Sequence, residues 1–376
     1  MNNCDILLFV NDLNFYRSHR SKLFEFLSLN KNITVVAENT LNINKNSLEN
    51  ENLKIDLINF NRTSLNPFKN LFYLYLLLNK VKMYSPNKVI FVSNKLIFLG
   101  ALINLFNSRG GTQYFFFFSG LGYLFISNSL FARSMKLLLL RLIKLSSRRG
   151  NVQIVVQNND DLSFFRRKLN LSYLPIHLIK GNGIKPQKVL NKTMDSINIL
   201  FAGRLLEDKG IFEYLDAAKF IKEYYPEKKI NFFLAGDCDF ANPNCISIAE
   251  LERIKLNKNI KFFGKLSYEN LCQLYREGHI FVLPSYREGL PRAALEAGSF
   301  GMALLLSNVP GCRECVKNDF NGYLFSLTDE EDLITKIKYL IDNPHQLKLM
   351  CSNSPAFIEN NFSEKIIFSE FHKVLS

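Results

Sequence analysis

Glu288 and Glu296 close the run Glu-Gly-Leu-Pro-Arg-Ala-Ala-Leu-Glu, two carboxylates eight residues apart around a glycine and a proline. Carboxylates accept hydrogen bonds from sugar hydroxyls, and a pair divided between a loop and a helix can grip different parts of one elongated ligand. The run follows His279-Ile-Phe-Val-Leu-Pro284, apolar and short enough to be a buried parallel strand, and it enters helix-forming residues after the proline. Pro291 is expected at the first helical position, which leaves the amides from Gly289 to Ala293 able to hold an anion such as a phosphate. The alternative is a solvated helix face with an ordinary N-terminal acid.

These residues need strands to position them. Ile6 to Val10, Ile33 to Ala37, Lys54 to Ile58, Lys88 to Val92, Gln113 to Phe118 and Val152 to Val156 read as strands with helix-length segments between most of them. A second series follows at Ile197 to Ala202, Ile230 to Ala235, Ile260 to Phe263, Ile280 to Leu283, Ala303 to Leu306 and Gly322 to Phe325. Such alternation implies right-handed βαβ units, and 376 residues suit two domains better than one core. The Lys/Gln/Asn-rich stretch from Lys185 to Ser196 reads as the linker. Ligands in parallel sheets bind at the carboxyl ends of strands. In the first series those ends carry Asn11-Asp12-Leu13-Asn14, Ser93-Asn94 and Ser119-Gly120-Leu121-Gly122-Tyr123, each either a substrate contact or a plain turn.

The glutamate pair with Glu-Gly-Leu-Pro at its front resembles the signature of the retaining nucleotide-sugar glycosyltransferases of family 4. Phe201-Ala-Gly-Arg-Leu-Leu-Glu-Asp-Lys-Gly210, Leu234-Ala-Gly-Asp237, Val309-Pro-Gly-Cys-Arg-Glu314 and Asn321-Gly-Tyr-Leu-Phe325 resemble further segments of that family, in its order, over roughly residues 197 to 326. The resemblance implies an α/β GT-B fold of two Rossmann-like domains whose parallel sheets face across a cleft. It implies a first domain at 1–184, a donor domain at 185–360, and a last helix at 361–376 crossing back to the first. It further implies that Arg204 and Lys209 hold the donor diphosphate beside Gly203, that Glu296 holds the ribose hydroxyls, and that Glu288, Gly289, Leu290 and Pro291 line the donor sugar. Charge grows on the leaving diphosphate as the anomeric bond breaks, so preplaced cations favour the transition state. With them no divalent metal or other cofactor is expected; Asp237-Cys-Asp239 reads as loop chemistry, and Cys312-Arg-Glu-Cys315 lacks a second cysteine pair for zinc.

Ser18-His-Arg20, Arg62-Thr-Ser-Leu-Asn-Pro67, and Gly236-Asp-Cys-Asp239 with Asn242-Pro243 resemble patterns in bacterial members that extend undecaprenyl-diphosphate-linked sugars with N-acetylgalactosamine or a related hexose. The resemblance implies a UDP-sugar donor, a polyprenyl-diphosphate saccharide acceptor of surface polysaccharide assembly, and acceptor contacts at Asn14, His19, Arg20, Ser119, Gly120 and Gly122. The chain departs from the pattern in two places: Ser119 stands where some relatives have a carboxylate, and the first loop has no glycine pair. A GT-B epimerase or phosphorylase, a transferase using another sugar nucleotide or acceptor, and a sugar-binding protein without catalysis are the other readings.

Charge separates the halves. Residues 1–180 hold 23 Lys and Arg against nine Asp and Glu, an excess of 14 positive charges, whereas residues 181–376 hold 24 against 25. The first half should therefore face something anionic. On a helix across Asn128 to Arg149, Arg133, Lys136, Arg141, Lys144 and Arg148 fall in one arc of roughly 140° with apolar residues around most of the rest. This is either a core helix with a basic edge or one that lies on an anionic leaflet. The apolar segments Leu71 to Leu78 and Leu96 to Phe106 are expected as core helices. Seven cysteines, an odd number, and no basic leader predict a reduced cytoplasmic protein, and the charge asymmetry predicts peripheral attachment to the cytoplasmic face of the membrane; nucleic acid is not an expected partner.

Overall fold

The computed structural model describes every residue except 1–3, 40, 41, 62, 63, 65, 108–110, 127, 128, 190, 191, 241 and 243. Arg62, Thr63, Leu65, Asn128 and Pro243 of the sequence motifs lie outside the described residues. The chain packs as two units, one of residues 1–183 with 367–376 and one of residues 184–366.

In the first unit, β1 (Ile6–Asp12), α1 (Leu13–His19), α2 (Ser21–Ser28), β2 (Ile33–Glu38), β3 (Leu53–Leu57), α3 (Pro67–Tyr84), β4 (Lys88–Val92), α4 (Asn94–Phe106), β5 (Gln113–Phe118), α5 (Tyr123–Ile126), α6 (Leu130–Ser147), β6 (Val152–Val156), α7 (Asn159–Leu169) and β7 (Ile176–Leu178) follow in order. The strands pair in parallel in the order β3-β2-β1-β4-β5-β6-β7. Tyr114 to Phe118 of β5 are all buried, as expected of a strand covered on both faces. β7 was not anticipated: Ile-His-Leu is a three-residue edge strand, only half-buried, too short to show a period.

The second unit runs β8 (Ile197–Ala202), α8 (Ile211–Tyr224), β9 (Ile230–Ala235), α9 (Ile248–Lys255), β10 (Ile260–Gly264), α10 (Tyr268–Glu277), β11 (Ile280–Leu283), α11 (Arg292–Ser299), β12 (Ala303–Ser307), α12 (Cys312–Cys315), β13 (Gly322–Phe325), α13 (Glu330–Asp342) and α14 (Pro344–Phe362). Its parallel sheet has the order β10-β9-β8-β11-β12-β13. Both sheets reverse direction of growth at their first strand, between β1 and β4 and between β8 and β11, which is the crevice where such folds bind ligands.

α15 (Glu364–Leu375) ends the chain. From Ile367 on it belongs to the first unit, where Phe371 stacks on Phe117 at 5.4 Å and the Leu375 carbonyl accepts from Lys31 and Lys88 at 2.6 and 2.7 Å.

Two expectations change. The stretch read as a linker does not hang free: Lys192 donates to the carbonyls of Tyr275, Gly278 and Gly301, and His279 bridges the Thr193 carbonyl and the Asn198 amide at 2.8 and 3.1 Å. An ammonium with three carbonyl acceptors is well satisfied, so the segment packs against the second unit. α3, expected in the core, buries only Tyr73, Leu77 and Val81 and leaves Phe68, Leu71, Phe72, Tyr75 and Met83 exposed, because it packs against α4, itself the buried helix. Among the described residues no helix is long and apolar enough to cross a membrane.

Candidate functional site

The second unit carries Arg204 and Lys209 beyond the carboxyl end of β8 and Glu288 beyond that of β11. After β8 the Gly203 amide donates to Ala235 O and the Leu205 amide to Asp237 O, both at 3.0 Å, which continues the β8–β9 ladder past the strand and fixes the backbone on either side of Arg204. A 3-10 turn, Glu207–Lys209, then ends at Gly210, whose φ of +74° starts α8. After β11 the chain is laced onto that turn: the Tyr286 amide and the Ser285 hydroxyl donate to Asp208 O at 3.0 and 3.1 Å. Ser307 in turn donates to the Ser285 carbonyl.

This lacing brings Lys209 Nζ to 2.5 Å from Glu288 Oε1, with the two side chains 18% and 12% exposed. Arg204 Nη1 lies 3.1 Å from Asp239 Oδ2 but is 54% exposed. Two glycines let the segments close. At Gly210 a Cβ would stand 2.0 Å from Pro284 O; at Gly311, with φ +81°, it would stand 2.5 Å from Gly289 O and 2.7 Å from Glu288 O. Beneath lies Cys312, whose thiol pKa is pushed far up by burial and then by the Glu288 carboxylate. Cys272, Cys315 and Cys351 are buried in the same unit, and Cys4 in the first.

Pro291 was expected as the first helical residue. It is instead the N-cap of α11, with φ −74° and ψ 100°, and the helix bonds start from Ala294 and Leu295 to its carbonyl. Glu296, in the second turn, is 7% exposed. Its Oε1 accepts from Arg292 Nε at 2.8 Å, and Tyr275 OH reaches Oε2 at 3.5 Å. Burial and then the Glu296 charge raise the Tyr275 pKa well above a phenol's ordinary value, so it remains a donor. Sequence reasoning missed Tyr275, Arg292 and Asp239 as partners. The four-residue spacing of Arg292 and Glu296 was a usable signal for one of them, whereas Tyr275 and Asp239 come from other parts of the chain and left none.

In the first unit the residues read as acceptor contacts divide. Asp12 caps α1 by accepting from the amides of Asn14 and Phe15. Asn14 accepts from Arg17 at 3.1 Å, and His19 stacks on Phe15 at 4.8 Å with Nδ1 2.6 Å from Ser18 Oγ. Arg20, by contrast, is 2% exposed and donates to Ser119 Oγ at 3.0 Å, joining β5's end to α2's start. Gly120 and Gly122 follow with φ of +136° and +61°. On α6, Arg133, Arg141 and Lys144 are exposed and Lys136 half-exposed, while Arg148 lies just past the helix as its C-cap. The helix buries Ala132, Leu139 and Ile143 but exposes Leu130, Phe131, Leu137, Leu138 and Leu145 beside the cations. Among the described residues no three His, Cys, Asp or Glu side chains group as metal ligands.

The arrangement can hold an anion between two cations and can present a buried carboxylate to hydroxyl donors. Residues 184–356 match the family model described as glycosyl transferases group 1. The chain is 30% identical over 340 residues to the N,N'-diacetylbacillosaminyl-diphospho-undecaprenol alpha-1,3-N-acetylgalactosaminyltransferase of Campylobacter jejuni, covering 86% of this chain and 85% of that protein. It is 28% identical over 209 residues to an Escherichia coli UDP-Gal:alpha-D-GlcNAc-diphosphoundecaprenol alpha-1,3-galactosyltransferase, a match spanning 56% of this chain and half of that protein. Among solved structures, sucrose-phosphate synthase from Thermosynechococcus elongatus superposes with a TM-score of 0.77 at 18% identity, covering 99% and 98% of the two chains. Anabaena HepE in complex with UDP and glucose gives 0.76 at 17%, covering 99% of each.

Proposed function

The chain belongs to the group 1 glycosyl transferases and is a glycosyltransferase of GT-B fold, and from that premise we propose that it transfers a hexose or N-acetylhexosamine, N-acetylgalactosamine first among them, from a UDP-sugar to an undecaprenyl-diphosphate-linked saccharide with retention at the anomeric carbon. The observation that carries the acceptor half is the reach of the similarity: 30% identity extends over 86% of the chain and so includes the first unit. The donor half rests on the second unit's cations. Arg204 and Lys209 take the diphosphate of UDP and stabilise the charge that grows on it as the sugar leaves. Each already holds a carboxylate, Asp239 and Glu288, so the diphosphate enters by exchanging one anion for another. Glu296, held by Arg292 and Tyr275, accepts from the ribose hydroxyls; Glu288, Gly289, Leu290 and Pro291 line the sugar. No divalent metal or other cofactor enters this reading.

The test is a panel of UDP- and GDP-sugars with a polyprenyl-diphosphate-linked saccharide, following release of nucleoside diphosphate. UDP release that depends on both substrates supports the reading; release with GDP-sugars alone, or without acceptor at an equal rate, overturns it. The two glutamates are expected to part in this assay. Glu296→Ala weakens binding of free UDP by about tenfold, the size of one or two lost hydrogen bonds at a buried site, while Glu288→Ala chiefly lowers kcat. Calorimetric titration with UDP, set beside initial rates, checks it; the reverse order would exchange their roles.

The acceptor's lipid requires the first unit to work at a bilayer. α3 and α6 both pack against α4 and present exposed apolar side chains, with the cations of α6 among its own. Each Lys or Arg at an anionic leaflet contributes about 1 kcal/mol, screened within about 8 Å at physiological salt. The protein is expected to sediment with phosphatidylglycerol-containing vesicles at low salt and to leave them at high salt. Changing Arg133, Lys136, Arg141, Lys144 and Arg148 to Gln should abolish sedimentation without altering UDP binding. Sedimentation equal to the wild type would make α6 an ordinary surface helix and move the test to α3.

A further inference from the structure

Of the chain's seven cysteines five are buried, and the two that are part-exposed, Cys238 and Cys245, stand at the two ends of one loop between β9 and α9. The backbone fastens both ends of that loop to a single segment. Leu205 donates to Asp237 O at 3.0 Å, directly before Cys238. Glu207 donates to Asn244 O at 2.9 Å, directly before Cys245, which itself pairs with Leu206 in an antiparallel bridge. Within the loop the Asn242 amide donates to Asp239 O at 2.7 Å and the Cys245 amide to Asn242 O at 3.0 Å. Two successive turns, each closed by a bond over three residues, therefore double the chain back and bring the second cysteine to the first. The two thiols share a hydrogen bond: burial and then that bond push the Cys238 pKa up to about 11.

The same loop reaches the donor cations. Asp239, directly after Cys238, holds Arg204 at 3.1 Å, and the Cys238 amide donates to the Asp237 carboxylate at 2.8 Å. Transfer of a sugar from a nucleotide to a saccharide uses no thiol. A metal does not account for the pair either, since among the described residues no three His, Cys, Asp or Glu side chains group as ligands. Two accessible thiols in contact have a chemistry of their own, the exchange with disulfides.

We propose that Cys238 and Cys245 are a modification site for small-molecule disulfides such as that of glutathione, and that the reversible disulfide formed there fastens Asp239 on Arg204 and weakens binding of the sugar nucleotide. The inference rests on the reading of Arg204 as a contact of the donor diphosphate. The thiolate of one cysteine attacks a sulfur of the small disulfide and expels one small thiolate. The thiolate of the other cysteine then attacks the protein sulfur of the mixed disulfide and expels the second. The two cysteines give up two protons and two electrons, and the small disulfide is returned as two thiols. Closure requires Cα atoms within about 4.4 to 6.8 Å, a movement confined to the loop because its ends are already fastened. A bond made in this conformation retains it, so Asp239 no longer withdraws when the diphosphate arrives. Disulfides of this transient, sensing kind are those that a reducing compartment allows.

The experiment incubates the full chain with glutathione disulfide or with dithiothreitol, removes the reagent, maps the peptides by mass and titrates UDP calorimetrically. The oxidised wild type is expected to carry a Cys238 to Cys245 disulfide without bound glutathione. It should bind UDP about three- to tenfold more weakly, the size of one half-exposed charge contact, and dithiothreitol should restore the affinity. The double variant Cys238→Ser with Cys245→Ser should bind UDP as the reduced wild type does under both conditions; if it does not fold, Cys238→Ala with Cys245→Ala takes its place. Asp239→Asn should form the same disulfide and show no change in affinity, because an amide competes weakly for Arg204. A glutathione adduct or another pairing in place of the disulfide overturns the proposal. So does a disulfide that leaves UDP affinity unchanged, or a full response in the double variant or in Asp239→Asn. Should the reduced wild type bind no UDP, the donor reading itself has failed. Inorganic pyrophosphate then decides the loop separately: it raises the melting temperature of the reduced protein more than that of the oxidised one, and equal shifts or none end the proposal.

Discussion

Replacing Lys209 with alanine is expected to lower kcat/KM for transfer from the UDP-sugar by on the order of ten- to a hundredfold. One charge-assisted contact to a developing diphosphate is worth about 1.5 to 3 kcal/mol, and each 1.4 kcal/mol is a factor of about ten. The effect should exceed that of Arg204→Ala. Lys209 is 18% exposed and works in a partly buried setting that water screens little, whereas Arg204 is 54% exposed and loses much of its field to water. Lys209→Ala also leaves the Glu288 carboxylate, 12% exposed, without its cation. Adding Glu288→Gln should therefore restore melting temperature but not rate. Steady-state UDP release and a thermal melt of all three variants check this; a wild-type rate in Lys209→Ala would remove the donor site from β8 and β11.

Gly210→Ala is expected to be more damaging still, and for a reason of space. The added Cβ would fall 2.0 Å from Pro284 O at a residue with φ +74°, and Pro284 is backbone at the end of β11 that cannot yield without moving the elbow. The left-handed conformation alone costs an L-residue about 1 to 2 kcal/mol, and the collision adds to it, so a loss of about 3 kcal/mol or more is expected for the second unit. That corresponds to roughly 6 to 12 °C in its melting transition. Gly264→Ala is the control: φ is +63°, but a Cβ there meets nothing within 4 Å, so only the conformational part, about 1 to 2 kcal/mol, should appear. Equal melts for the two variants would show that the elbow adapts. Activity should fall in Gly210→Ala even well below the melt, since Glu288 and Lys209 sit on the two segments forced apart.

The strands of both sheets were legible because parallel strands covered on both faces are continuous apolar runs, as Phe201 or Leu304 and their neighbours illustrate. Glu288 and Lys209 were legible as residues but not as a pair, since 79 positions separate them and only the lacing through Asp208, Ser285 and Tyr286 brings them together. Hydropathy misjudged α3, whose leucines and phenylalanines look like core until α4 is found to occupy the inner place. Charge misjudged the neighbourhood of His19 and Arg20 in the opposite sense. The two are adjacent in sequence, yet the histidine stacks at the surface on Phe15 and the arginine is buried over the ring of Phe117. Burial of a lone arginine carries no sequence signature, because nothing local demands it.

The buried cysteines give this chain an internal clock. Only a thiolate reacts with an alkylating reagent, and burial raises the pKa of Cys4, Cys272, Cys312 and Cys351 while walling off their sulfurs. Each therefore reacts at the rate at which its surroundings open. Cys4 sits just ahead of β1, whereas Cys312 lies under the Glu288 elbow. The mass of each labelled peptide against time reads the two units separately in one unmodified molecule, and a nucleotide that fastens the elbow would slow the Cys312 hand and leave that of Cys4 running.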